Sequence, residues 1–199
     1  VEIGAGRGAL TGRLLAAGLR VLAIEIDAGS CAALGGQFGS SPGFELLQAD
    51  VLTLDLAELI RARGGQPAVV AGNLPYYITS PILRLIFDAG ERVSHAVVLM
   101  QREVAWRTVA RAGTRDFGYL SLLCQAHSRP ELLFSVPPGA FRPPPKVTSA
   151  LVRFSIEPQL ARWGVSNRQA FLEFAQLCFH HKRKTLRNNL ESRFGRPRL

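Results

Sequence analysis

A glycine-rich turn near the start of the chain most strongly limits the folds that this sequence can adopt. Residues 4–8 read Gly-Ala-Gly-Arg-Gly, and they join an apolar strand end at Ile3 to a helical pattern over residues 10–17. Glycines let the backbone approach a ligand closely, and the following helix offers free N–H groups in its first turn. This order predicts an α/β sheet with a ligand site where the strands end. The turn also fits a dinucleotide-binding fingerprint, so alone it leaves the ligand open.

Polar side chains stand at the ends of the next three apolar runs. Glu25 ends the second run, Asp50 follows the third, and Asn73 follows the fourth. The carboxyl ends of parallel strands meet at one edge of a sheet, so these side chains and Gly4 are predicted to line one site. Glu25 is placed to accept hydrogen bonds from two ribose hydroxyls, and Asp50 to accept one from an adenine amino group. Either acid alone is more simply a solvated carboxylate, but the succession of strand ends favours a nucleoside-containing cofactor.

The most informative motif is Asn-Leu-Pro-Tyr at residues 73–76. The Asn73 side-chain oxygen and a backbone carbonyl beside Pro75 can accept both hydrogens of an exocyclic amino group. Tyr76 or Tyr77 can stack on the ring, as aromatic side chains do with extruded bases. Taken alone, the motif is equally typical of a loop that ends a strand. Together with the strand-end residues it favours an enzyme that acts on an aminated base.

Positive charge is concentrated in the last part of the chain. Residues 1–157 carry 15 Lys+Arg against 13 Asp+Glu, and residues 158–199 carry 9 against 2, so +7 of the net +9 lies there. Within this basic part of the chain, three hydrophobic residues recur at helical spacing: Leu186, Leu190 and Phe194. Their spacing predicts a helix that buries one face and presents Lys and Arg on its other faces. A solubilising tail is the alternative. We favour RNA phosphates as the partner.

Composition narrows the class of protein further. The three cysteines, Cys31, Cys124 and Cys178, lie far apart, and no His or Cys spacing indicates a metal site. We therefore predict a reducing, cytoplasmic location and no metal. No apolar run reaches 18 residues, so no membrane-spanning segment is predicted. The 199 residues, 47% of them hydrophobic, suffice for one full domain and part of a second.

Local signals predict the remaining elements. Thr79 and Ser80 are typical of a helix cap, with Pro81 at the first helical position of a helix that runs through Phe87. Further predicted elements are a strand over residues 93–100, helices over 101–111 and 119–127, and strands over 132–136 and 150–156. The last two strands are separated by a stiff proline-rich loop.

These motifs together resemble the S-adenosylmethionine-dependent ribosomal RNA adenine N6-dimethyltransferases, and among them the small-subunit branch. The resemblance rests on residues 2–11, 25–27, 49–52, 73–78, 101–105, 117–121, 141–149 and 182–190. One departure is Trp106, since the family usually has an acidic or small polar residue there.

The resemblance implies a fold and a set of site residues. The fold is a Rossmann-like methyltransferase sheet with helices on both faces over residues 1–157, followed by the start of a small, basic, helical RNA-binding domain over residues 158–199. Relative to the family, both termini are expected to be truncated. S-adenosylmethionine, without metal, is assigned to Gly4, Gly6, Glu25, Ile26, Asp50, Val51 and Asn73. Catalysis is assigned to Asn73, Leu74, Pro75 and Tyr76, and RNA contacts to Tyr77, Phe141, Lys146, Lys182, Arg183, Lys184 and Arg187.

The predicted activity is methyl transfer to N6 of adenines in small-subunit ribosomal RNA, giving N6,N6-dimethyladenosine. The predicted protein is a monomer that acts on the pre-ribosomal small subunit. A dehydrogenase is disfavoured because it leaves residues 73–76 and the basic end unexplained. A large-subunit rRNA methyltransferase that confers antibiotic resistance shares most of the motifs. A non-enzymatic ribosome-assembly or transcription factor on the same scaffold is disfavoured because both Asn73 and Glu25 are present.

Overall fold

Seven strands form one mixed sheet in the computed structural model, which describes residues 1–64, 66–181 and 184–195. The strands are β1 (Glu2–Ile3), β2 (Val21–Glu25), β3 (Phe44–Gln48), β4 (Ala68–Asn73), β5 (Val93–Gln101), β6 (Ser128–Val136) and β7 (Ser149–Ile156). Their order is β3-β2-β1-β4-β5-β7-β6. Strands β1 to β5 are parallel, and β7 is antiparallel to both β5 and β6. The carboxyl ends of β1 to β4 therefore lie at one edge, as predicted.

Helices connect the strands and cover the sheet. They are α1 (Ala9–Ala16), α2 (Ala28–Phe38), α3 (Leu56–Arg61), α4 (Thr79–Asp88), α5 (Arg102–Val109), α6 (Tyr119–His127), α7 (Arg168–Cys178) and α8 (Leu186–Phe194). No helix among residues 1–64, 66–181 and 184–195 combines the length and hydrophobicity needed to cross a bilayer.

The central strands are buried on both faces. All five residues of β2 are buried, and successive residues of a strand point to opposite faces. Leu22 and Ile24 join a large cluster that contains the buried apolar residues of α4. Val21 and Ala23 join a smaller cluster with residues of α2. The predicted Rossmann-like α/β architecture, with helices on both faces, is confirmed.

The predicted start of α4 was wrong. Thr79 is the first helical residue and Pro81 the third, and no side-chain cap precedes them. The Thr79 hydroxyl instead donates to the carbonyl oxygens of Pro75 (3.2 Å) and Tyr76 (3.4 Å). Proline is tolerated at the third position because N–H groups of the first turn have no intrahelical acceptor.

Helix α7 is attached to the sheet-bearing part of the chain. Its Leu172 lies in the large core cluster. Arg168 forms an ion pair with Asp88 at the end of α4 and donates from Nε to His127 Nε2 at 2.9 Å. His127 Nδ1 lies 2.8 Å from Leu123 O, and burial lowers the pKa of this histidine. The division into domains at residues 157 and 158 stays a prediction.

Helix α8 forms where predicted, but the predicted buried face was wrong. Leu186 and Phe194 are 56% and 65% exposed. Asn189 is buried instead, since its side chain donates to Cys178 O and His181 O and accepts from His181 N. Polar tethering to the preceding turn therefore orients this helix, and the Phe194 ring contacts Phe174 of α7, with centroids 6.5 Å apart.

Candidate active site

The glycine turn between β1 and α1 builds one wall of the site. Gly4, Gly6 and Gly8 have φ angles of 70°, 56° and 83°, which other residues rarely adopt. Beneath the turn, the Thr11 hydroxyl donates to Glu2 Oε2 at 2.7 Å. Both side chains are buried, and burial raises the pKa of Glu2. This bond ties β1 to α1 across the turn, a feature that the sequence analysis missed.

The Glu25 carboxylate is held in place by backbone groups. Its Oε2 accepts from Gly6 N at 2.8 Å, and its Oε1 accepts from Ile26 N and Asp27 N at 2.8 and 2.9 Å. A carboxylate has about four acceptor positions. Three are occupied by backbone donors, so Glu25 retains about one acceptor position, and its bonding to two ribose hydroxyls stays a prediction. Gly6 does not itself line the cavity, so its contribution to the site is the hydrogen bond that positions Glu25.

Asp50 and apolar side chains form the opposite wall. Asp50 Oδ1 accepts from Leu52 N at 3.0 Å and caps the short turn Val51–Thr53. Ile26 is 64% exposed and Leu52 is 39% exposed, although both are large and apolar. Exposed apolar groups beside carboxylates suit a flat, partly polar ring such as adenine.

Most of the predicted cofactor residues surround one open cavity of about 250 Å³. Those that line it are Gly4, Glu25, Ile26, Asp50, Val51 and Asn73, joined by Pro75 and Tyr77 of the predicted catalytic and substrate-binding sets. A larger cavity of about 680 Å³ lies at the opposite edge of the sheet, near Arg20 and Arg63, and contains none of the predicted site residues. The described residues include no cluster of His, Cys, Asp or Glu suited to hold a metal ion.

Residues 73–76 cross the mouth of this cavity. Asn73 is the last residue of β4 and is exposed, and its side chain makes no hydrogen bond to any described residue. Leu74 is buried, and its N–H donates to Leu99 O at 3.0 Å. Pro75 O accepts from Ile78 N and from the Thr79 hydroxyl. No described donor reaches Leu74 O, so the carbonyl that remains available beside Asn73 is that of Leu74.

The two tyrosines of the motif occupy different environments. The Tyr76 hydroxyl is 3.0 Å from Ser149 Oγ, at the start of β7. Ser149 is fully buried, so this contact attaches the predicted catalytic motif, residues 73–76, to the antiparallel part of the sheet. Tyr77 is 86% exposed at the cavity. Its ring is therefore accessible for stacking on a base.

The predicted RNA-contacting residues are spread over the surface. Phe141 is partly buried and Lys146 is exposed in the loop before β7. Lys184 is exposed, and Arg187 pairs with Glu191 (Nε to Oε1, 3.2 Å). Lys182 and Arg183 lie outside the described residues. Of the predicted RNA-contacting residues that the structure describes, Tyr77 lines the cavity at the strand ends, whereas Phe141, Lys146, Lys184 and Arg187 do not.

Comparisons with known proteins agree with this geometry. The family model described as ribosomal RNA adenine dimethylase matches residues 1–199. The chain is 41% identical over 200 residues to the ribosomal RNA small subunit methyltransferase A of Koribacter versatilis, covering 96% of this chain and 70% of that relative.

Two solved structures are also similar. The dimethyladenosine transferase from Plasmodium falciparum matches with a TM-score of 0.78 and 25% identity, over 98% of this chain and 67% of that one. The 23S rRNA methyltransferase ErmE matches with a TM-score of 0.71 and 26% identity, over 99% of this chain and 76% of that one. Sheet order, strand-end residues and whole-length similarity converge, and this chain belongs to the ribosomal RNA adenine dimethylase family.

Proposed function

We propose that this protein transfers methyl groups from S-adenosylmethionine to N6 of adenines in small-subunit ribosomal RNA, giving N6,N6-dimethyladenosine during ribosome biogenesis. The observation that carries the proposal is the pair of available acceptors at the mouth of the cavity, the Asn73 side chain and Leu74 O. We also propose that the protein acts as a monomer in the cytoplasm.

The cavity suits the proposed cofactor by the chemistry of its lining. The turn at Gly4 leaves room beside the backbone, since a Cβ placed there would come no closer than 3.8 Å to another residue. Glu25 retains acceptor capacity for a ribose hydroxyl, and Asp50 for an adenine amino group. Ile26 and Leu52 provide apolar contacts for the adenine ring. When bound, S-adenosylmethionine supplies a methyl group on a sulfonium, which is already a good leaving group.

The residues at the cavity mouth address the main chemical difficulty of the reaction. The N6 lone pair of adenine is delocalised into the ring and is a poor nucleophile. Asn73 Oδ1 and Leu74 O would each accept one N6 hydrogen, which favours a more tetrahedral nitrogen and points its lone pair into the cavity. Orientation of this kind contributes at best ~7–11 kcal/mol to lowering a barrier.

The chemistry requires no strong general base at N6. The ionisable side chains that line the cavity are Glu25, Asp50 and Tyr77. Glu25 is engaged by three N–H groups, and Asp50 caps a turn. We infer that the N6 proton leaves after methyl transfer, when the nitrogen is cationic and acidic. Stacking on the exposed Tyr77 ring would hold the extruded adenine at the mouth meanwhile.

The test compares Asn73→Ala with a matched control, Gln48→Ala. Gln48 is an exposed amide at the end of the parallel strand β3, which is separated from β4 by two strands in the sheet, and it does not line the cavity. Methyl transfer to unmethylated small ribosomal subunits should fall ~10²–10³-fold for Asn73→Ala, the usual effect of removing one preorganised polar partner. Calorimetric affinity for S-adenosylmethionine should stay within about tenfold. Wild-type turnover by Asn73→Ala would reduce Asn73 to an ordinary strand-end residue.

The large-subunit alternative has its own support in the similarity to ErmE. Mapping dimethyladenosine in both ribosomal RNAs, from cells with and without this protein, separates the two substrates. A modification that depends on the protein and lies only in the large-subunit RNA would contradict the proposal.

A further inference from the structure

The first turn of α5 stands beside the catalytic motif. Leu99 of β5 is the register partner of Asn73, so β5 continues two residues, ~7 Å, beyond the end of β4 before α5 begins. The N–H of Arg102 donates to Thr148 O at 3.0 Å. The adjacent Ser149 holds the hydroxyl of the catalytic-motif Tyr76. The outer, solvent-exposed face of α5 therefore begins near residues 73–76, and no residue of α5 lines the cavity itself.

Two side chains on this outer face are stacked on each other. The Arg102 guanidinium carbon lies 4.9 Å from the centroid of the Trp106 ring, one helical turn on. Trp106 is 47% exposed, whereas Ala105 and Thr108 are fully buried on the inner side of α5. The indole is thus presented to solvent with a cation over its ring.

The charge on Arg102 is not compensated within the described part of the chain. Its neighbour Glu103 is committed to an ion pair with Arg107, and no described carboxylate forms a salt bridge with Arg102. A guanidinium without a carboxylate partner is suited to bind a phosphate. An exposed aromatic ring beside it is suited to stack on a base.

The second tryptophan of the chain provides a contrast. Trp163 is 45% exposed, almost the same as Trp106. Its ring, however, packs against Phe171 of α7, with centroids 6.4 Å apart. Trp163 has an apolar partner that accounts for its position. For Trp106 the ring contact found among the described residues is with the Arg102 cation.

We propose that Arg102 and Trp106 form a binding site for an RNA nucleotide that flanks the target adenine. The indole stacks on the flanking base while the guanidinium contacts a backbone phosphate. This inference rests on the proposed function, because it places single-stranded RNA at the cavity mouth. Stacking is tolerant of sequence, so the site positions the strand and leaves the choice of base to residues 73–76.

The first measurement uses the tryptophans as separate reporters. Trp163→Phe leaves Trp106 as the sole tryptophan, and Trp106→Phe leaves Trp163. Each variant is titrated with a short single-stranded oligoribonucleotide that has central adenines. Base stacking should quench the fluorescence of the Trp163→Phe protein and leave that of the Trp106→Phe protein unchanged.

The second measurement is affinity for the same oligoribonucleotide. Trp106→Ala should raise Kd about 5- to 140-fold, the range that ~1–3 kcal/mol of base stacking gives at ~1.4 kcal/mol per factor of ten. Trp163→Ala should change Kd less than about twofold. Arg102→Gln should reduce the slope of log affinity against log salt by about 0.7, the value for one phosphate of a single strand that is no longer neutralised. Thermal melting and S-adenosylmethionine affinity show that each variant is folded.

The inference and the proposed function fail in different ways. The inference is overturned if Trp106 fluorescence is unchanged at saturating RNA, or if Trp106→Ala binds RNA with wild-type affinity. Arg102 and Trp106 would then bind a different partner or only stabilise α5. Absence of methyl transfer to small ribosomal subunits by the wild-type protein overturns the proposed function, whatever the fluorescence shows.

Discussion

Replacing Gly72 by alanine should damage the site from inside the sheet. Gly72 precedes Asn73 in β4, and a Cβ placed on it would lie 2.4 Å from the backbone oxygen of Ile3 in β1. Real Cβ contacts are rarely closer than 3.0–3.4 Å, so β1 and β4 would have to separate by about 0.6–1.0 Å. The neighbour is backbone and cannot rotate away. Overpacking of this kind costs ~1–3 kcal/mol, which lowers Tm by roughly 2–12 °C for a chain of this size.

The loss of activity should exceed the loss of stability. β1 leads into Gly4 and β4 ends at Asn73, and both residues line the cavity. Their separation would shift the proposed cofactor-binding turn relative to the proposed acceptors for N6, and a misplacement of ~1 Å can cost ~10²-fold in rate. The control is Gly35→Ala on the exposed side of α2, where a Cβ meets nothing within 4 Å. That variant should be neutral or stabilised by up to ~1 kcal/mol.

The assays are thermal unfolding followed by circular dichroism and methyl transfer to unmethylated small subunits. The reasoning would be refuted if Gly72→Ala melted within ~1 °C of wild type and turned over at the wild-type rate. In that case the contact between β1 and β4 would not set the geometry of the site.

Three further predictions concern the cofactor, pH and RNA. Glu25→Gln should weaken S-adenosylmethionine binding ~10- to 140-fold by calorimetry, the effect of one charge-assisted bond of ~1.5–3 kcal/mol; an equal loss in the distant control Glu45→Gln would contradict this. Burial holds the pKa of His127 below its ordinary ~6.5, so its contribution to stability is complete above that pH and is lost as pH falls toward the folded-state pKa. In His127→Gln, the free energy of unfolding should therefore depend less steeply on pH below ~6.5 than it does in the wild type. The same pH dependence in both proteins would contradict this prediction. Neutralising residues 182–184 and Arg187 together should reduce the slope of log ribosome affinity against log salt by ~0.7–0.9 for each phosphate that the protein no longer neutralises. Cofactor affinity should not change. An unchanged slope would indicate that the basic end is a solubilising tail.

The sheet and its polar edge could be predicted from the sequence because each strand end carries its own local signal. Glu25, Asp50 and Asn73 follow apolar runs, and the parallel order brings them together at one edge. Helices α2 and α3 were not among the predicted elements. Three glycines, among them Gly35 and Gly36, weaken the helical pattern of α2, and α3 is only six residues long. Both begin at an aspartate cap, which is the signal that could have revealed them.

Contacts between distant parts of the chain were not predictable from local patterns. The bond between Tyr76 and Ser149 spans 73 residues, and nothing in either segment identifies the other. The close approach of Gly72 to Ile3 likewise depends on which strands are neighbours. The inward orientation of Asn189 reversed a prediction made from apolar spacing, because hydrogen bonds to the preceding turn outweighed the periodicity of three apolar side chains.

Helix α4 connects the loop at residues 73–76 to the C-terminal helices. At its first residue, the Thr79 hydroxyl donates to the carbonyl oxygens of Pro75 and Tyr76. At its last residue, ~14 Å away, Asp88 forms an ion pair with Arg168 of α7. A rotation of α7 would therefore either break this ion pair or move α4 with it. A force that acts on the C-terminal helices would therefore be transmitted through α4 to residues 75 and 76, in the loop that is proposed to bind the target adenine.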